Sequence, residues 1–240
     1  MIKSNESFNY IGGELDLFKN AKNWKMYFSK KMSKYIQGDV LEVGAGIGIN
    51  TRYLAGTPEK ITSWCLLEPD TKLASQIKTH ITDIDIPNKT IVNGTIQSVQ
   101  GQMFDTIIYI DVLEHIEESK KEIALLKKCL KSNGYVIILV PAYNFLFNNF
   151  DRKIGHFRRY NKKLLLKDVD AQLSVVGLFY LDSVGYFASL INKFFLRKEL
   201  PSIKNVNLWD NYMVPTSKLF DALFFKSFGK SLLGIFKSEQ

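Results

Sequence analysis

The residues with the clearest chemical potential form a glycine-rich turn that follows a short apolar segment. The segment 40–43 is apolar apart from Glu42, and glycines follow it at positions 44, 46 and 48. Glycines between a strand and a helix let the backbone approach a ligand closely, although a plain tight connection can show the same pattern. A dinucleotide site would place glycine or alanine at position 49, which is isoleucine here, and would not need Glu42. The pattern therefore disfavours pyrophosphate binding.

Two further acids follow apolar runs that are predicted to be strands. Glu68 lies 26 residues after Glu42, where a carboxylate can accept two hydrogen bonds from ribose hydroxyls. Asp111 ends the apolar run that begins at Phe104. One acid at a strand end is usually only a helix cap, but ligands of open parallel sheets bind where several strand ends meet. The glycine turn, Glu68 and Asp111 are therefore predicted to surround one crevice that suits an adenosine compound.

The elements that must position these residues alternate between two hydrophobic periods. Short β-branched runs predict strands at 40–43, 63–67, 90–92, 104–110, 135–140, 174–181 and 231–236. Apolar steps of three and four predict helices at 14–36, 50–55, 71–81 (with Asp70 as its N-cap), 117–130 and 161–173, and a helical cover at 186–230. Repeated βα units predict an α/β fold, with a mostly parallel sheet and helices on both faces. We expect one domain, 1–240, made of an N-terminal helical cover (1–37), a cofactor-binding core (38–141) and an acceptor side (142–240).

Composition excludes several classes of protein. The 240 residues are 46% hydrophobic and 23% charged, which is typical of a folded globular chain rather than a disordered one. The longest uncharged stretch, 132–150, contains Pro141 and four asparagines, so no membrane-spanning helix is expected. The polar N-terminal segment 1–6 does not resemble a signal peptide, which predicts a cytoplasmic protein. Cys65 and Cys129 lie in apolar runs and are predicted to be buried thiols rather than zinc ligands or redox groups.

The pattern Glu42-x-Gly44-x-Gly46-x-Gly48, with Glu68 and the run Asp111-Val112-Leu113-Glu114-His115, resembles the class I S-adenosylmethionine-dependent methyltransferases. The resemblance covers about residues 38–141. It implies S-adenosylmethionine as the cofactor and a Rossmann-like, seven-stranded sheet whose last strand is antiparallel. It also implies a set of cofactor-binding residues, namely Glu42, Gly44, Ala45, Gly46, Asn50, Glu68, Pro69, Thr95, Ile96, Asp111 and Val112. Thr95 stands where the family often has an acid that contacts the adenine amino group.

Outside the core, residues 14–24 and 151–160 resemble a bacterial methyltransferase subgroup whose substrates are mostly unassigned. Methyl transfer to a hydroxyl is helped by a general base, and the two candidates are His156 and His115. His115 can instead be a residue at a helix start whose ring stabilises the cofactor loop. The predicted substrate-binding residues are Tyr143, Arg158, Arg159 and Tyr160. The arginines could clamp a carboxylate or phosphate, or one could form a structural ion pair with Asp151.

The expected metal content is none. Asp111, Glu114 and His115 resemble divalent-ion ligands of ubiquinone-pathway O-methyltransferases, but those enzymes have glutamate where this chain has Asp111. The aromatic and lysine-rich tail, 215–237, could contact an anionic membrane or could pack on the sheet of its own domain. The predicted acceptor is an oxygen or nitrogen of a small or lipid-linked molecule, and the oligomeric state is open.

Three rival functions remain open. The net charge of +8 would suit an RNA methyltransferase, although nucleic acid is not the expected partner because no RNA-binding appendage is evident. The same charge is also common on solvated surfaces. The second rival is a non-catalytic module that binds S-adenosylmethionine, and the third is a nicotinamide oxidoreductase, which Ile49 disfavours.

Overall fold

The computed structural model describes residues 14–56, 58–169, 173–196 and 202–239. Their centre is a seven-stranded sheet with the strand order β3-β2-β1-β4-β5-β7-β6. The strands are β1 (Gly38–Val43), β2 (Ile61–Glu68), β3 (Lys89–Asn93), β4 (Phe104–Ile110), β5 (Leu130–Pro141), β6 (Leu173–Leu181) and β7 (Ser231–Ser238). β7 runs antiparallel to both of its neighbours, β5 and β6, and the other six strands are parallel to one another. The predicted Rossmann-like fold class is thereby confirmed.

Helices cover both faces of this sheet. The helices of the described residues are α1 (Glu14–Phe18), α2 (Lys22–Met32), α3 (Thr51–Leu54), α4 (Thr71–Ile81), α5 (Ser119–Lys127), α6 (Asn149–Lys153), α7 (Lys162–Val169), α8 (Ser183–Ile191), α9 (Ile203–Leu208) and α10 (Val214–Leu223). α2, α3, α4 and α10 pack on one face, and α5 and α7 pack on the other. Successive strand residues such as Val40 and Leu41 enter opposite cores because side chains alternate along a strand.

Some predicted boundaries are correct and others shift. Asp70 caps α4 as predicted, since its carboxylate accepts hydrogen bonds from two backbone N–H groups of the first turn. The predicted helix 14–36 is instead α1, α2 and a 3₁₀ turn, Ser33–Tyr35. β5 begins five residues before the predicted start, and its pairing with β4 is irregular there. The predicted helix 161–173 ends at Val169, residues 170–172 lie outside the described residues, and Leu173 opens β6.

Buried acids fasten the helical cover of residues 183–223 to the rest of the domain. Asp210 lies in a π-helical turn, Trp209–Met213, and accepts hydrogen bonds from the backbone N–H groups of Asn23 and Trp24. Asp221 in α10 accepts from the Tyr27 hydroxyl at 2.8 Å. These contacts join the N-terminal α2 to the C-terminal helices. Residues 1–13 of the predicted N-terminal cover lie outside the described residues, and no helix in the described ranges is long and apolar enough to span a bilayer.

Candidate active site

The glycine turn after β1 is held close to the end of β4. The backbone N–H groups of Gly44 and Ala45 both donate to the carbonyl oxygen of Leu67, at 2.8 and 3.1 Å. Gly44 has a φ of +65°, and a Cβ built there would lie 2.4 Å from Cγ2 of Val112. Only glycine fits this backbone and this contact. The turn therefore exposes its backbone to the crevice instead of a side chain.

Glu68 binds the glycine turn from the end of β2. Its carboxylate accepts hydrogen bonds from the backbone N–H groups of Gly46, at 2.8 Å, and Asp70, at 3.0 Å. Burial raises its pKa, and these two hydrogen bonds oppose that effect. A carboxylate has about four acceptor positions, so two bonds to the backbone leave capacity for ribose hydroxyls. Glu68 thus combines support of the turn with a free acceptor face.

Glu42 lies behind the glycine turn rather than in the crevice. One oxygen of its buried carboxylate accepts hydrogen bonds from the Thr51 hydroxyl, at 2.7 Å, and from Nε1 of Trp64, at 3.0 Å. Burial raises its pKa to about 7. The sequence predicts a cofactor contact here, and the structure instead places Glu42 inside β1, below the beginning of α3. It can act on a cofactor only through the turn that it supports.

The other predicted cofactor residues line one cavity of about 670 Å³ at the carboxyl ends of the strands. They are Gly44, Ala45, Gly46, Asn50, Glu68, Pro69, Thr95, Ile96, Asp111 and Val112. α1 and α2 close the cavity on the N-terminal side with Leu15, Phe18, Trp24 and Lys25, and the C-terminal helices contribute Trp209. Convergence at the strand ends is therefore found as predicted.

Asp111 directly follows β4 and has a left-handed conformation, with a φ of +52°. Its backbone N–H donates to the carbonyl oxygen of Leu139 at 2.9 Å, and its side chain is exposed to the cavity. Desolvation raises the pKa of Asp111, and the nearby charges of His156, Lys230 and Lys25 oppose this increase. A left-handed backbone at a non-glycine residue is common in functional sites, where it aims a side chain that a regular strand would direct elsewhere.

Two lysines that line this cavity were not predicted from the sequence. Lys25 in α2 donates to the carbonyl oxygen of Phe18, and burial lowers its pKa to about 8 despite the nearby Asp210 and Asp111. Lys230, just before β7, lies over the Trp209 ring at 4.6 Å, and burial lowers its pKa as well. Lys25 lies beside the apolar face of the helix predicted at 14–36, and this position was the only signal for it in the sequence. Together with Asp111, the two lysines give the cavity groups of both charges.

His156 is held by an acid and lines the same cavity. Its Nδ1 lies 2.9 Å from Oδ1 of Asp151, and its Nε2 lies 3.8 Å from Oε1 of Glu114. Arg159 binds both oxygens of Asp151 through Nε and an Nη, each at 2.9 Å. Burial would raise the pKa of Asp151, but the hydrogen bonds from His156 and Arg159 hold it below the ordinary value. The charged Asp151 therefore orients the His156 ring.

Glu114 and His115 complete this cluster from the 3₁₀ turn after β4. Glu114 is fully buried, and neither carboxylate oxygen has a hydrogen-bond partner in the described residues. Burial and the nearby Asp111 raise its pKa well above the ordinary value. The His115 ring lies perpendicular to the His156 ring, with 4.5 Å between their centroids. Burial and the charge of His156 lower the pKa of His115 to about 4, which makes it a weak base at neutral pH. Ligand atoms of Glu114, His115 and His156 lie within 4.8 Å of one another, so a divalent ion could bind there.

Three of the four predicted substrate-binding residues do not line the cavity. Arg158 donates to the Ser119 hydroxyl at 2.7 Å and to the Glu117 carbonyl oxygen at 2.6 Å. Tyr160 is buried, and Tyr143 stacks on Tyr180 at 4.8 Å between ring centroids. Only Arg159 lines the cavity, and it forms the ion pair with Asp151. The two-arginine clamp is therefore wrong in this geometry, because each guanidinium is already bound to the protein.

The family of methyltransferase domains matches residues 16–175 of this chain, or two thirds of its length. The chain belongs to this family. It is a class I S-adenosylmethionine-dependent methyltransferase, and S-adenosylmethionine is its cofactor. Comparison with curated protein sequences finds no match.

Solved structures with the same fold include three methyltransferases. One is in a Haloferax volcanii complex with the Trm112 methyltransferase activator (14% identity, 98% of this chain and 100% of that chain, TM-score 0.62). The second is an S-adenosylmethionine-dependent methyltransferase from Archaeoglobus fulgidus (14% identity, 95% and 100%, TM-score 0.60). The third is one from Clostridium acetobutylicum (14% identity, 92% and 93%, TM-score 0.57). At these identities the likeness concerns the fold alone.

The cavity of this methyltransferase suits its cofactor. The turn presents Gly44 and Gly46, which have no side chains, to the cavity, so a ligand can approach the backbone there. Glu68 presents a carboxylate at the strand end, which fits ribose hydroxyls. Asp111 and Lys25 present opposite charges, which fit the ammonium and carboxylate groups of an amino acid. The donor set therefore matches both the nucleoside and the amino-acid end of S-adenosylmethionine.

Proposed function

We propose that the enzyme methylates an oxygen or nitrogen nucleophile of a small or lipid-linked acceptor. The supporting observation is that His156, oriented by the charged Asp151, lines the same cavity as the cofactor residues. It comes from the loop after β5, outside the set of cofactor residues. A histidine held by a carboxylate next to a binding site has the properties of a general base.

S-Adenosylmethionine supplies a methyl group whose carbon is bonded to a positively charged sulfur. The residues of the chain align the acceptor, exclude water, and receive the proton that the acceptor loses as its new bond to carbon forms and the carbon–sulfur bond breaks, which leaves S-adenosylhomocysteine. We assign proton removal to Nε2 of His156. His115, whose pKa is about 4, then acts by packing against the His156 ring. Arg159 is a positioning residue that acts through Asp151.

We also propose a cytoplasmic location for the enzyme. Both cysteines, Cys65 and Cys129, are free and buried, which is compatible with the reducing cytoplasm.

Phe157 lines the cavity and is half exposed, so an acceptor with an apolar portion could enter beside it. A lipid-linked acceptor therefore stays within the proposal along with a small one.

RNA methylation is the second candidate. The net charge of +8 supports it. Against it stands the segment after β4, where Val112-Leu113 occupies the place of the Asn/Asp-Pro-Pro-aromatic motif of many base-amino methylases. We therefore rank it below a small or lipid-linked acceptor.

The test offers the enzyme three acceptor pools with S-adenosylmethionine that carries a labelled methyl group. The pools are a lipid extract, a polar small-molecule extract and total RNA, and the readouts are labelled product and released S-adenosylhomocysteine. We expect label in the lipid or the polar pool. Label in RNA alone would replace the proposal with the second candidate. Binding of S-adenosylhomocysteine without turnover in any pool would instead favour a non-catalytic binding module.

A further inference from the structure

Helix α10 buries two of its polar residues and exposes several of its apolar residues. Ser217 and Asp221 are fully buried, and each hydrogen-bonds the segment that begins α8. On the opposite side, Leu219 is 71% exposed and Leu223 is 63% exposed. A surface helix of a globular protein normally has the reverse arrangement. The exposed side of α10 therefore needs an explanation beyond the packing of this domain.

The exposed apolar side chains of α10 continue onto α8 and the turns that follow both helices. We call this surface the apolar patch, and its members are Phe187, Ile191, Phe194, Leu219, Phe220, Leu223, Phe224 and Phe225. Phe228 joins the two helices, because its ring lies 5.5 Å from Phe187 and 5.4 Å from Phe224. The aromatic part of the patch is therefore continuous from Phe187 through Phe228 to Phe224 and Phe220. Contiguous apolar surfaces of this kind mark interaction sites in soluble proteins.

In the described segments that form the apolar patch, the exposed charged residues are all lysines. Lys193, Lys218 and Lys226 lie in the same elements as the patch residues, and all three are partly exposed. Within residues 183–196 and 211–238 the single acid is Asp221, which is fully buried. A surface of aromatic and aliphatic side chains with lysines and no exposed acid is complementary to a bilayer that carries negative headgroups.

The apolar patch also connects to the acceptor side of the cavity. Tyr186, next to Phe187 in α8, packs against Tyr143 and Phe145 of the loop after β5. Lys193 donates to the carbonyl oxygen of Phe145. The same loop continues through α6 to His156. A ligand that enters from the side of the patch would reach the loop that carries the proposed base.

We propose that the apolar patch docks the enzyme on an anionic lipid bilayer, with Leu223 and Phe225 inserted among the headgroups and the three lysines above them. Phe225 is 89% exposed, so insertion removes apolar surface from water without any rearrangement of the domain. The inference rests on the proposed function for one purpose, the delivery of a lipid-linked acceptor. Docking itself is measured without cofactor or acceptor, so it can fail independently of the proposed function.

The test is co-sedimentation of the full chain with vesicles of phosphatidylcholine alone and with vesicles that also contain phosphatidylglycerol. We expect binding to the anionic vesicles only. The double variant Leu223→Glu/Phe225→Glu is expected to bind them about tenfold more weakly or worse. The double variant Lys218→Gln/Lys226→Gln is expected to lose about 25-fold, since each lysine near an anionic surface contributes roughly fivefold. Met103→Glu/Val175→Glu changes half-exposed apolar residues outside the patch, and it should bind as the unmodified chain does.

Affinity for S-adenosylhomocysteine reports whether each variant is folded, and it should be unchanged in all three. Equal binding to the two kinds of vesicle, no binding to either, or an equal loss in the control variant would overturn the proposal. Sedimentation velocity without vesicles provides the last criterion. A dimer that Leu223→Glu/Phe225→Glu converts to a monomer would make the patch a subunit interface instead.

Discussion

The cofactor edge of the sheet and the helical cover differ in what holds them. At the cofactor edge, backbone groups make most of the contacts, as where the turn after β1 binds the Leu67 carbonyl oxygen and Glu68. In the cover, buried side chains carry the connections, as where Asp221 meets Tyr27 across 194 positions of the chain. We therefore expect the cofactor edge to be sensitive to substitutions that change the backbone conformation. The helical cover should instead be sensitive to substitutions that remove a buried acid.

Gly44→Ala tests the backbone conformation of the cofactor edge and has the largest expected effect. The new Cβ would meet Val112 at 2.4 Å on a backbone with positive φ, so the turn or Val112 must move. We expect affinity for S-adenosylhomocysteine, measured by calorimetry, to fall about 100-fold, because several backbone contacts shift together. Gly101→Ala is the matched control, since Gly101 also has a positive φ but no atom lies within 4 Å of its added Cβ. Equal losses in both variants would show that backbone strain alone is responsible.

Asp221→Ala tests the side-chain half of the comparison. The substitution leaves the Tyr27 hydroxyl and the backbone N–H groups of Asp182 and Ser183 buried without their acceptor. We expect the free energy of unfolding to fall by about 3 kcal/mol, measured by urea denaturation. Asp85→Ala removes an exposed acid and should change it by less than about 0.5 kcal/mol. An unchanged free energy of unfolding in Asp221→Ala would show that this buried acid does not hold the helical cover in place.

Glu42→Gln asks whether charge also matters behind the cofactor edge. The folded-state pKa of about 7 exceeds the ordinary 4.5, so the folded protein holds this proton more tightly than the unfolded chain. Stability therefore declines as the pH rises from 4.5 to 7 and is constant above 7 as far as this group is concerned. Glutamine keeps an oxygen for Thr51 and Trp64 and has no charge, so we expect a gain of about 2 kcal/mol above pH 7 and a flatter profile below it. Glu59→Gln, at an exposed acid, should leave the profile unchanged.

His156→Ala tests the acceptor side of the cavity without changing the cofactor edge. Loss of the proposed base should lower turnover about tenfold or more, while affinity for S-adenosylhomocysteine stays intact. His80→Ala is the matched control, because His80 is partly exposed on α4 and does not line the cavity. Unchanged turnover in His156→Ala would remove His156 from the mechanism. A parallel loss of cofactor affinity would assign it to the cofactor edge instead.

The smallest expected effect is that of a chelator. Methyl transfer needs no metal in principle, so we expect turnover to be unchanged after dialysis against EDTA. Loss of turnover that Zn²⁺ or Mn²⁺ restores would identify the cluster Glu114, His115 and His156 as metal ligands. The same measurement on His80→Ala should give the result of the unmodified chain.

Much of the fold follows from local patterns. β4 matches its predicted bounds of 104–110, and α4 matches 71–81 because Asp70 supplies a cap at the right place. The cofactor residues converge because each follows a parallel strand, a consequence of topology that short motifs reveal. Glu42 is the exception. Its place inside β1 directs the side chain under the turn, and a linear motif does not contain that direction.

The acceptor side could be predicted only in part. The chemistry of Asp151 and His156 depends on Arg159, and the sequence indicated the alternative of an Arg–Asp151 ion pair without deciding it. Asn148 and Asp151 form a capping box around α6, and this Asn-x-x-Asp pattern was an available signal for that helix. Asp210 and Asp221 gave no such signal, since their partners in α2 lie more than 180 positions away. Long-range pairs of this kind are set by the completed fold.

The position of β7 between β5 and β6 determines the order in which this enzyme can be completed during synthesis. Among the described residues β6 has no neighbour in the sheet other than β7, so it stays unpaired until residues 231–238 have left the ribosome. The wall that carries Lys230 is incomplete until then as well, because Lys230 directly precedes β7. A premature stop within the last eight codons before residue 239 would yield a product with an exposed strand edge, a natural substrate for chaperones and proteases.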